Sequence, residues 1–129
     1  MLAADTNIVV RLLIQDDPQQ TARAEALFRS EEVWLAKTVL LETEWVLRST
    51  YHYPDERAVT VLRKLVAMPN VQVEDPAAVA RALDWASAGL EFADALHVAS
   101  RAEHADFVSF DQTLVKRAKR AGVSSVLAL

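Results

Sequence analysis

Four acids, Asp5, Glu42, Asp94 and Asp111, stand where the surrounding pattern is apolar. Each falls near the end of an apolar run or on the flank of a helix's apolar arc, where an ionised side chain is rare unless its charge is compensated. Two like charges about 6 Å apart at an effective dielectric of about 20 repel by about 3 kcal/mol. Six such pairs among four converging carboxylates amount to on the order of 15 kcal/mol, as much as the stability of a small domain. Convergence therefore requires bound cations, basic partners or protons held at raised pKa. No Lys or Arg at helical spacing neutralises Asp5 or Glu42, so the natural compensator is a hard, oxygen-loving cation, Mg²⁺ or Mn²⁺. Such a cradle suits metal-assisted chemistry on a phosphate.

The elements that must position these acids follow from punctuation and periodicity. Asp17-Pro18, Tyr53-Pro54-Asp55 and Asp75-Pro76 read as helix starts, Asp accepting from free N–H groups and Pro pre-set at the first helical position. They predict helices over 18–29, 54–67 and 76–88. Helical periodicity also covers 38–52, 91–104 and 111–121, the last ended by Gly122, and a short helical stretch follows Asp5. Between them lie apolar runs at 1–4, 33–36, 71–73, 107–110 and 123–128, none with clean polar alternation. These suit strands covered on both faces. Strands alternating with helices predict an α/β chain, a three-layer α/β/α sandwich around a central parallel sheet. With 129 residues it is expected to form a single domain over 1–129.

Asp5 and Asp111 each close a strand, and ligands gather at the carboxyl ends of an open parallel sheet. Both also read as the N-cap of the following helix. On the helix after Thr38, Val39, Leu40, Val46 and Leu47 build the apolar arc with Thr43 and Thr50 inside it. Glu42 borders that arc and is expected to be drawn inward; Glu44 falls on the opposite flank, four before Arg48, and is expected at the surface in an ion pair. Leu41 and Trp45 form a second apolar flank, either core or a subunit contact. Asp94 sits in a helical first turn, where the helix dipole favours an anion. Glu91, one turn earlier, is at most an auxiliary, and His97 reads as a packing or hydrogen-bonding residue.

Composition bounds the class. The apolar fraction is 52%, with two Gly and four Pro, which argues for a helix-rich globule. Cysteine is absent, excluding disulfides, thiolate metal sites and cysteine nucleophiles. The first residues carry no basic region and no apolar run reaches about 18 residues, so a cytoplasmic protein without signal peptide or membrane span is expected. Net charge is −4, the wrong sign for binding nucleic acid by bulk charge. Lys116, Arg117, Lys119 and Arg120 nevertheless make a local basic patch. With Arg11 and Arg48 these residues are the candidate contacts for nucleic-acid phosphates, and a solvated helix face explains each of them equally well.

Four blocks carry a resemblance: Asp5-Thr6-Asn7, the run from Leu41 to Arg48, the run from Phe92 to Ala99, and Ser109-Phe110-Asp111. In this order and spacing they resemble the PIN-domain ribonucleases, specifically the VapC-type toxins of toxin–antitoxin pairs, over nearly the whole chain. The resemblance implies an acidic groove holding one or two Mg²⁺ or Mn²⁺ ions, with catalytic and metal-binding acids at Asp5, Glu42, Asp94 and Asp111. It places polar auxiliaries at Thr6, Asn7 and Ser109, where many relatives have threonine. The last acid varies in the family, which leaves open whether Asp111 touches metal. Endonucleolytic cleavage of structured RNA (tRNA or rRNA), a homodimer and silencing by a cognate antitoxin are also implied. Hydrolysis with a metal-activated water gives 5′-phosphate and 3′-hydroxyl ends, and Thr6 and Asn7 orient a carboxylate or water through hydrogen bonds.

Other readings fit less well. A haloacid-dehalogenase-type phosphatase needs a second Asp where Asn7 stands. A receiver domain needs paired early acids and a mid-chain acid at a strand end. The rival of another class is a catalytically weak PIN-like module that holds RNA or a protein without cutting.

Overall fold

The computed structural model describes all 129 residues, which gather into two compact units, Met1–Pro76 and Ala77–Leu129. In the first unit, β1 (Leu2–Ala3), β2 (Val33–Leu35) and β3 (Val71–Val73) form a sheet in the order β1-β2-β3. Every pairing is parallel, with Leu2 opposite Val33 and Val33 opposite Val71. Parallel neighbours need a crossover. Here each is a helix pair: α1 (Thr6–Ile14) with α2 (Pro18–Ser30), then α3 (Lys37–Ser49) with α4 (Asp55–Val66). The core joins Val9, Phe28, Val33, Leu35, Leu40, Leu47, Leu62 and Leu65, all buried.

Helix ends show which start signals act as read. Asp17 caps α2, accepting from Gln20 N at 3.1 Å with Pro18 in the first turn. Before α4 the cap position belongs to Pro54, and Asp55 lies inside the first turn. Asp75 stands immediately before α5, which starts at Pro76 as read; its φ of 49° is left-handed, and its carboxylate accepts from Lys37 Nζ at 3.4 Å. The start of α3 has no side-chain cap of its own. Glu74, just past β3, supplies one from a distance by accepting from Lys37 N at 2.9 Å.

In the second unit α5 (Pro76–Ser87) and α6 (Phe92–Ala99) precede β4 (Phe107–Ser109), α7 (Gln112–Arg120) and β5 (Val126–Ala128). β4 and β5 pair in parallel with α7 as their crossover, and Gly122 ends α7 at φ 78°. Two expectations are corrected. The helix predicted to 104 stops at Ala99: its buried arc of Phe92, Ala95, Leu96 and Ala99 is not continued, since Ala102, next in phase, and the polar residues around it are exposed or half-buried. Coverage of both strand faces holds for β2, whereas β1, β4 and β5 keep large apolar residues exposed, among them Leu2, Val108 and Leu127. The all-parallel mixed α/β class is as read from the sequence. No helix is long and apolar enough to cross a membrane.

Candidate functional site

Asp5 and Glu42 line one cleft. It measures about 550 Å³ within the first unit, and Thr6, Asn7, Thr38, Val39 and Val46 complete its wall. Asp5 closes β1 in extended conformation and caps α1, its Oδ1 accepting from Ile8 N at 3.1 Å. That single bond leaves its Oδ2 without a protein partner. Glu42 has neither a hydrogen bond nor an ion pair. Thr6 is buried and Asn7 exposed, and neither bonds to Asp5.

The two acids of α3 exchange the burial expected of them. Glu42 is exposed, whereas Glu44 keeps 2% of its side chain accessible. Arg48 Nε donates to Glu44 Oε1 at 2.9 Å and to Oε2 at 2.6 Å, so the i,i+4 ion pair exists but lies inside rather than at the surface. The reason is the phase of α3. Its buried stripe is Leu40, Thr43, Glu44 and Leu47, the spacing of one helix face, and α3 packs on both α1 and α4. That rotation turns Val39, Glu42 and Val46 toward the cleft. Trp45, on another flank, is exposed.

In the second unit Asp94 lies in the first turn of α6, and Asp111 follows β4. Asp111 repeats the device at Asp5: it caps its helix, α7, with Oδ1 accepting from Leu114 N at 3.1 Å. Ser109 Oγ accepts from Asp111 N at 2.9 Å, so the serine fixes the backbone of the acid, not its carboxylate. Partial burial, then the nearby charges of Glu91 and Asp111, push the Asp94 carboxyl above its ordinary value, while His97 and Arg117 pull the other way. His97, read as a packing or hydrogen-bonding residue, is exposed. Glu91 is held by Arg117 at 3.7 Å.

The four acids thus come as two pairs, one in each unit. No group of three or more acids and histidines is gathered for a metal ion. The donor chemistry of each pair nonetheless fits a hard divalent cation: all four groups are carboxylates, Glu42 is unpartnered, one oxygen of Asp5 is unpartnered, and Asp94 lies near the like charges of Glu91 and Asp111.

The proposed phosphate contacts divide. Arg48 is engaged by Glu44, and Arg11 by Asp16 at 2.7 Å and Gln20 at 2.8 Å. Lys116, Lys119 and Arg120 are exposed and without ion pairs, and Arg117 reaches Glu91. Two residues the motif reading passed over, Gln20 and Arg23, line a neighbouring cleft with Asp5. Their places three and six residues after the Asp17 cap, on one face of α2, are the only sequence signal that marks them.

Parallel strands, helix-pair crossovers and acids capping helices at strand ends define a parallel α/β class, in which ligands gather at the carboxyl ends of the strands. The chain matches the PIN domain family over residues 3–120, and it belongs to that family. PIN domains are generally nucleases and typically use divalent metals. A comparison with curated proteins returned no match.

Proposed function

We propose that this PIN domain is a metal-dependent endoribonuclease cleaving structured RNA, tRNA or rRNA, to 5′-phosphate and 3′-hydroxyl ends, and that it serves as the toxin of a toxin–antitoxin pair. One observation carries the reading: Glu42, a carboxylate with no protein partner, lines the same cleft as Asp5. Glu42 is exposed and open to water, so what supports a cation is its place beside Asp5 in one cleft, in a family that typically uses divalent metals. Asp5, Glu42, Asp94 and Asp111 hold one or two Mg²⁺ or Mn²⁺ ions, with Ser109 keeping the Asp111 backbone in place. When bound, the metal activates water and neutralises charge on the scissile phosphate. Thr6 and Asn7 line the cleft that receives that phosphate.

The toxin role, a cytoplasmic homodimer and inhibition by a cognate antitoxin rest on the similarity of the four motif blocks to VapC-type proteins. Incubating the full chain with total tRNA or rRNA and Mg²⁺ or Mn²⁺, with EDTA and Asp5→Asn as controls, tests the activity. Discrete fragments with 5′-phosphates, lost in both controls, are expected. No cleavage under either metal favours a binding module instead, and undiminished cleavage by Asp5→Asn refutes the assignment.

A further inference from the structure

We propose that the cleft between α1 and α2 is a nucleotide subsite in which Arg23 holds a phosphate of the RNA strand. The proposal rests on the ribonuclease reading and extends it to the path of the strand beyond the cut. The cleft measures about 400 Å³, within the size range of small-ligand sites. Asp5 and Asn7 line both this cleft and the acidic one, so they form a wall common to the two. A strand with a phosphate at the Asp5–Glu42 cleft therefore finds its next space here.

The lining fits a nucleotide part by part. Ile8, Ala24 and Leu27 offer an apolar surface for the face of a base. The Asn7 side-chain amide offers a donor and an acceptor to its edge, and Gln20, whose Oε1 accepts from Arg11 Nε, offers its N–H groups. The two arginines are not equivalent. Arg11 spends its Nη1 on Asp16 and its Nε on Gln20, which offsets its charge. Arg23 is exposed with no hydrogen bond or ion pair, and is the uncompensated cation of the cleft. An anion joined to a flat, half-apolar body is what that arrangement recognises. Continuity with a cleft expected to hold a phosphodiester selects RNA over a protein segment.

The test measures binding and cleavage separately with the full chain. Anisotropy of a labelled single-stranded RNA dodecamer, across a range of KCl, reads affinity and its salt slope. Arg23→Gln should bind about ten-fold more weakly and lower the slope by about 0.7, the share of one phosphate contact on a single strand. In cleavage it should raise KM with kcat little changed. Arg23→Lys should recover most of the affinity. Arg29→Gln, on α2 but outside the cleft, should match the parent. Equal affinity and slope for Arg23→Gln overturn the subsite, as does an equal loss in Arg29→Gln, which would signify bulk charge. Arg23-dependent binding without cleavage sinks the nuclease and keeps the subsite. Cleavage with an unchanged KM in Arg23→Gln does the reverse, and no RNA binding at all ends both.

Discussion

Replacing Arg48 with methionine removes the countercharge of a carboxylate that has almost no water around it. Both Glu44 oxygens accept from Arg48 Nε, at 2.9 and 2.6 Å, and the Glu44 side chain is 2% accessible. Breaking a buried pair by deleting one partner costs about 3–5 kcal/mol. Arg48 itself keeps 30% of its side chain exposed, so water relieves part of the loss and the low end, about 3 kcal/mol, applies. Unfolding entropy for 129 residues is about 0.27 kcal/mol per degree, which turns that loss into a midpoint about 11 °C lower. Thermal melts followed by circular dichroism, with urea titrations alongside, measure it. The double variant Glu44→Leu/Arg48→Met removes both charges and should return to within about 1 kcal/mol of the parent. A single variant within about 0.5 kcal/mol of the parent refutes the reasoning, as does a double variant no better than the single.

The remaining predictions concern the acids and one orphaned hydroxyl. Asp5→Asn keeps a competent cap, so its midpoint should match the parent while cleavage is lost; Asp5→Ala should lose about 1 kcal/mol in addition, read as a midpoint about 4 °C lower. Thr43 Oγ1 is buried without a hydrogen-bond partner, so Thr43→Val, of the same shape, should raise stability by about 1 kcal/mol in urea titrations. The Asp94 carboxyl titrates above its ordinary 3.8 in the folded chain, so the native state binds the proton more tightly than the unfolded one. Its contribution is present below pH 3.8 and is lost as pH rises through the raised value. In metal-free buffer Asp94→Asn should therefore stabilise the chain near neutrality, by less than about 1 kcal/mol given its partial exposure, and the gain should vanish in acid. Mn²⁺ should raise the parent's midpoint, EDTA should reverse the rise, and Glu42→Gln should blunt it.

What the sequence made legible was local. Acids at strand ends, proline at a helix start and glycine at a helix end each act within a few residues. Asp5, Asp17, Asp111 and Gly122 accordingly do what their neighbours imply. The phase of α3 was not legible. Val39, Leu40, Leu41, Trp45, Val46 and Leu47 surround most of the helix, so periodicity leaves the buried direction open, and packing on α1 and α4 decides it. Glu44 went inward because Arg48 could follow it. Two connections across the sequence were equally hidden: the Glu74 cap on α3 and the meeting of Arg23 with Asp5 around one cleft. These partners are 37 and 18 residues apart and share no repeating pattern.

The caps at Asp5 and Asp111 have a thermodynamic consequence for any ion captured there. Each carboxylate is already immobilised by the backbone amide it accepts from, so its rotational freedom is spent when the chain folds. Glu42 is longer and untethered, and it must surrender up to about 2 kcal/mol of rotamer entropy at the moment of capture. Capture in the Asp5–Glu42 cleft would then be governed by Glu42, its loose arm, and stiffening that arm would be the route to tighter affinity without adding a ligand.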